Sequence, residues 1–259
     1  MRKYIYILSA LLPLMAVQSC QKVIDIDLNS AAPQIVIEGS ISDQPGPYTV
    51  KITKTVNFSE TNIFPAVSGA AVTVSDDAGN SETLAETSSG IYTGNNLQGI
   101  PGRTYYLSVT ADGKNYSSAS TMAYPTRIDT MVAQKSWFEP KKFAAVLFQD
   151  SIGYKNYYRL VQIKNGVTDK SIFIIDDRLR DGSLIPYFLF TRDDSVRSGD
   201  SVTVQLQGID KGTYDYFFSL LRTIRGGSAS PTNPTSNISN KALGYFSAYA
   251  VRSKSIVAP

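Results

Sequence analysis

Apolar and polar residues alternate with a period of two through most of this 259-residue chain. Successive side chains of a strand point to opposite faces, so such a segment buries one face and wets the other. In residues 48–56, Tyr48, Val50 and Ile52 fall on one side, and Thr49, Lys51 and Thr53 on the other. Residues 23–28 set Ile24, Ile26 and Leu28 against Asp25 and Asp27. Further strands are predicted over 34–41, 71–75, 105–110, 128–132, 143–148, 157–164, 171–175, 201–208 and 246–251. Shorter ones begin at Leu84, lie within 88–92, and return through Tyr116. Turn chemistry separates them, as in DQPGPY at 43–48, DDAGN at 76–80 and the hairpin signal Asn165–Gly166. Strands at this spacing specify antiparallel sandwiches, so the expected fold is mostly β.

The expected organisation is an immunoglobulin/fibronectin-like sandwich over 20–122 and a second antiparallel β domain over 123–259. The junction AYPTRID, 123–129, carries Pro125, which confines its neighbour to extended conformations. In the first domain, PGRTYYLSV at 101–109 resembles the tyrosine-corner segment of fibronectin-type and immunoglobulin-like domains. That resemblance implies that Tyr105 turns its hydroxyl back onto nearby backbone while its ring joins the core. One helix is predicted near 213–225. Tyr214, Phe217, Phe218 and Leu221 recur at helical spacing, Thr213 or Asp210 can cap the start, and Gly226–Gly227 stop it. So many aromatics require the helix to pack on a sheet. A polar loop of Gly, Pro, Ser, Thr and Asn follows, to Asn240.

The chain has no histidine and one cysteine. It therefore lacks the commonest general base, metal ligand and activator of a serine nucleophile. It also has no G-x-S-x-G elbow, no G-x-x-x-x-G-K-[ST] loop and no G-x-G-x-x-G. Asp176–Asp177 and Asp193–Asp194 are adjacent acidic pairs near Arg178, Arg180, Arg192 and Arg197. Neighbouring residues of a strand face opposite ways, and arginines hold carboxylates ionised, so these pairs read as turn residues. No catalytic residue, metal site or cofactor is expected, and the chain is not expected to be an enzyme. Trp137, in KSWFEPKK, and Asn233 and Asn237, in the polar loop, are the candidate binding residues. Thr130, Ser151, Ser195 and Ser201 each stand in an Asp-[Ser/Thr]-apolar triplet. Those triplets resemble the O-glycosylation acceptor pattern of Bacteroidota.

The amino terminus carries the features expected of a membrane-addressed chain. Arg2 and Lys3 precede an uncharged stretch, 4–17, which has the length of a signal-peptide core and is too short to span a bilayer. Val17, Gln18, Ser19 and Cys20 follow, and resemble the lipobox of bacterial lipoproteins; Gln18 departs from the usual small residue. That resemblance implies a signal over 1–19, cleavage after Ser19, and acylation of the Cys20 thiol. Each buried methylene contributes about 0.8 kcal/mol, so several acyl chains hold where one does not. Losing Arg2 and Lys3 takes 25 basic residues to 23 against 22 acidic, about +1. No basic stripe stands out, which argues against a nucleic-acid partner.

The segments 20–55 and 233–254 resemble the two ends of a Bacteroidota lipoprotein family known as domain of unknown function four-two-four-nine. The resemblance spans the mature chain and brings no catalytic residues with it. It implies an outer-membrane lipoprotein, on the cell-surface or the periplasmic face, often encoded beside a TonB-dependent receptor. The expected function is then a non-enzymatic binding or accessory module for TonB-dependent uptake of a nutrient. Its partners would be the bilayer, through acylated Cys20, and a TonB-dependent receptor, with a small-molecule, glycan or peptide ligand. The alternatives are a structural or adhesive envelope protein and, behind it, a carboxylate-dependent hydrolase.

Overall fold

The computed structural model describes residues 32–57, 60–61, 63–136, 140–191, 195–226 and 232–259. The strand expected over 23–28 lies outside them. The described fold is mostly β, with sheets that are antiparallel apart from one strand pair, as the alternation requires.

Two cores form. Around the first are β1 (Ile35–Ser42), β2 (Tyr48–Lys54), β3 (Ala71–Asp76), β4 (Ser81–Thr83), β5 (Ala85–Ser88), β6 (Ile91–Gly94), β7 (Thr104–Ala111) and β8 (Lys114–Thr121). The sheet β4-β3-β7-β8 faces β1, β2 and β6 across Ile37, Val50, Ile52, Val72, Tyr92 and Leu107. The tyrosine corner is present. Tyr105 is fully buried, and the Ile100 amide donates to its hydroxyl at 2.6 Å.

Around the second core are β9 (Ile128–Lys135), β10 (Lys142–Gln149), β11 (Tyr157–Lys164), β12 (Val167–Thr168), β13 (Phe173–Asp176), β14 (Leu184–Leu189) and β15 (Ser201–Ile209). Here β14-β10-β9 faces β11 and β15 across Val146, Phe148, Leu160, Ile185, Val204 and Leu206. The edge strand β14 goes unpredicted because Pro186 interrupts an unalternating apolar run. An edge position tolerates that proline.

The strand β16 (Leu243–Val257) belongs to both cores. Its residues 243–249 run parallel beside 36–42 of β1, and 250–257 run antiparallel beside 208–201 of β15. Phe246, Ala248 and Ala250 enter the first core, while Ile256 packs on the second. Residues 33–259 accordingly form one compact unit. Close approach is built in at Gly244, where φ is +95° and an added Cβ would stand 2.0 Å from the Ile37 carbonyl oxygen. Asp43, just past β1, secures the point where β16 changes partner. Its carboxylate accepts from the Val251 amide at 2.9 Å and from Arg252 Nη1 at 2.6 Å.

The helix α1 (Lys211–Ile224) follows β15 directly, and Asp210 caps it by accepting from the Thr213 amide at 2.8 Å. Its inward face differs from the expected stripe. Thr213, Tyr214, Tyr216 and Phe217 are buried, whereas Phe218 is 41% exposed. The face is set by Tyr245 of β16, whose ring lies 4.8 Å from that of Tyr216 and 4.9 Å from that of Phe217.

Burial pushes the Asp43 carboxyl up, but hydrogen bonds from Gln44, Arg252 and the Val251 amide, with the Arg252 charge, leave it below its ordinary 3.8. A carboxylate depressed in the folded state stabilises above the unfolded pKa and stops doing so as pH falls through the folded one. Asp43→Asn should therefore destabilise the protein by about 2 kcal/mol at pH 7. The difference from the unmodified chain should shrink towards zero as the pH drops below 3.8. Urea titrations at pH 7 and pH 3 measure both values.

Candidate functional site

The helix stands off the sheet edge, and a groove opens between it, β13 and β14. Its volume is about 600 Å³, within the range of small-molecule sites. Ile174 and Ile175 of β13, Pro186 and Tyr187 of β14, and Tyr214 of α1 form the walls, while Arg178, Leu179 and Arg180 of the β13–β14 connection form the rim. A second hollow of about 210 Å³ shares Ile174 and Tyr187 and continues past Phe188 and Phe190 to Leu221 and Arg225. Leu179 is 97% exposed on the rim.

One polar cluster sits in this apolar lining. Asp176 accepts from Arg178 Nε at 2.8 Å and Nη2 at 2.7 Å, and from the Tyr214 hydroxyl at 3.0 Å. Burial raises the Asp176 carboxyl, but Arg178 and Tyr214 outweigh it and hold it below its ordinary value. Burial and the Asp176 carboxylate push Tyr214 up to about 12. At neutral pH the groove therefore presents an ionised acid, held by Arg178 and Tyr214, and a neutral phenol. This suits recognition of an apolar or aromatic body. A general base needs a free carboxylate with a raised pKa, and Asp176 is the opposite.

Asp177, the residue just past β13, is buried and does not line the groove. It joins Asp150 and Asp181, and ligand oxygens of the three lie within 4.8 Å of one another. Each is engaged by donors. Asp150 takes the Tyr158 hydroxyl at 2.5 Å and the Gly182 amide at 2.9 Å, Asp177 the Asn156 amide at 2.6 Å, and Asp181 the Gly153 amide at 2.9 Å. The cluster ties the loop after β10 to the loop after β13. Sequence spacing does not group Asp150 and Asp181 with Asp177, because the three meet only where the two loops do.

Of the sequence-predicted site residues, Ser19, Cys20 and Trp137 lie outside the described residues, as do Asp193 and Asp194. Asn233 is exposed. Asn237 is engaged at both ends of its amide, donating to the Phe246 carbonyl at 2.8 Å and accepting from the Phe246 amide at 3.0 Å. This clasp fastens the polar loop to β16. Thr130, Ser151 and Ser201 are exposed, Ser195 is half-buried, and none of the four lines the groove. Of the groove residues, the sequence shows Ile174 and Ile175 as strand, Asp176, Arg178 and Arg180 as turn charges and Tyr214 as helix, with nothing to bring them together. The signal for Pro186 and Tyr187 was LIPYFLF, an apolar run too proline-broken to bury both faces.

A family model described as Domain of unknown function (DUF4249) matches residues 21–255. Among solved structures, a two fibronectin type-III domain segment from chicken tenascin is similar at 12% identity, over 68% of this chain and 91% of that one, with a TM-score of 0.22. The chicken interferon gamma receptor alpha chain is similar at 9% identity, over 69% and 90%, with a TM-score of 0.24. No curated protein matches.

If the groove holds an apolar body, Leu179→Glu should weaken binding of the neutral probe N-phenyl-1-naphthylamine about fivefold, as expected for losing about 1 kcal/mol of apolar burial. Fluorescence titration measures this, and a side chain so exposed can be changed without disturbing the fold.

Proposed function

We propose that this chain, which belongs to the Domain of unknown function (DUF4249) family, is a lipid-anchored binding module of the outer membrane that acts as an accessory to TonB-dependent uptake. The observation that carries the binding role is the groove beside α1, with apolar walls, an arginine-bearing rim and an Asp176 carboxylate held by Arg178 and Tyr214. The anchor is supported by the sequence alone, through the basic start, the short apolar stretch and Cys20. Among the described residues, no helix is long and apolar enough to cross a membrane.

In this reading the thioether lipid holds the domain in the plane of the membrane. A tether of that kind raises the effective concentration of the module at a neighbouring pore without adding a contact. The nutrient rests in the groove by apolar burial and is released to the receptor.

Growth with an alkyne-tagged palmitate tests the anchor. The unmodified protein should take up label and sediment with membranes, while Cys20→Ser should do neither. Affinity purification from detergent extracts of cells carrying the unmodified protein should recover an outer-membrane barrel receptor. An unlabelled, freely soluble protein would contradict the anchor, and recovery without any barrel would contradict the accessory role.

A further inference from the structure

We infer a second binding site, distinct from the groove: a pocket beneath α1 in which Arg159 and Ser247 grip a carboxylate. It lies on the sheet face away from the two cores, where β1, β16, β15 and β11 run side by side and the helix covers them. Ser40, Arg159, Gln207 and Ser247 line it from the sheet, and Phe217 closes it from the helix. The hollow is about 40 Å³. One water needs about 10–15 Å³ on that scale, so the space takes a carboxylate group, with Tyr245 and Tyr249 among its walls.

Two independent observations point to an anion. Ser247 is 3% exposed, and its hydroxyl has no hydrogen-bond partner among the described residues. A buried hydroxyl without a partner is costly, so its hydrogen bond is open to a group seated in the pocket. The second observation is Arg159. Its guanidinium carries five N–H donors and a permanent charge. One nitrogen reaches Gln207 Oε1 at 3.2 Å, and its central carbon sits 4.4 Å from the centre of the Phe217 ring.

No carboxylate pairs with Arg159 among the described residues. The nearby acids are committed elsewhere, Asp43 to Arg252 at 2.6 Å and Glu38 to Lys51 at 3.9 Å. A guanidinium fork matches a planar carboxylate through two parallel hydrogen bonds. The Ser247 hydroxyl supplies a further donor, and the flanking aromatic rings suit an apolar body behind the charged head.

The test uses the full chain in detergent micelles, with benzoate as the probe and benzamide as its neutral counterpart, at constant ionic strength. Calorimetry should show saturable benzoate binding, and the Arg159 Nε–H resonance should shift in step. Benzamide should bind at least tenfold more weakly. Arg159→Gln should lower benzoate affinity at least tenfold, and Ser247→Ala about threefold with an unchanged melting temperature. Leu179→Glu, on the groove rim, should leave benzoate binding unaltered, so the two sites are told apart. The inference is overturned if benzoate leaves the Arg159 resonance unmoved, if benzamide or sulfate binds as tightly, or if Ser247→Ala binds like the unmodified chain. The last comparison decides even where Arg159→Gln does not fold.

Discussion

One strand carries the architecture. β16 lies beside β1 for its first seven residues and beside β15 for the remaining eight, and so completes a sheet behind each core. Neither half owns it. The first core loses Phe246, Ala248 and Ala250 without it, and β15 loses its partner along the whole of one edge. The strand must pass from a parallel to an antiparallel neighbour within one step, between Tyr249 and Ala250. Asp43 gathers the backbone there and Gly244 admits the close approach further back. A second contact falls on the same seam, where Gly208 leaves room for the junction residues Ala123 and Tyr124.

Both candidate binding places follow from that seam. Bringing β1, β16, β15 and β11 into register makes a broad outer face on which Tyr245, Ser247 and Tyr249 alternate with the core-facing residues of β16. The helix springs from the end of β15 and lies over that face, held by the aromatic contacts of Tyr216 and Phe217 with Tyr245. Its underside leaves the polar pocket around Arg159. Its flank, against β13 and β14, leaves the apolar groove. The same aromatics that fix the helix thus determine the shape of both spaces.

Much of the fold was legible in the alternation itself, because a period of two has a single structural meaning once one face is buried. Strands such as β2 and β11, and the corner at Tyr105, were read where they stand. Pairing between distant segments was not legible. Nothing in LGYFSAYAVRSKSIV says that its first half serves one core and its second half another: the apolar residues stop at Val251, and the polar run RSKS hides the continuation to Val257. The inward face of α1 was shifted for a related reason. Phe218 and Tyr216 are equally plausible as core residues until Tyr245 selects between them. The groove was not legible because apolar side chains in a cavity and in a core look alike in sequence. The acidic trio of Asp150, Asp177 and Asp181 required the tertiary meeting of two loops. The signal region and Cys20 rest on sequence alone.

If the shared strand makes the two cores a single cooperative body, they should open together. Hydrogen exchange read by mass spectrometry across a urea series below the unfolding transition measures this most directly, comparing β3 and β7 of the first core with β10 and β15 of the second. The account predicts that all four strands converge on one opening free energy with one denaturant dependence. Two separate values, with one core exchanging through an opening that leaves the other protected, would contradict it.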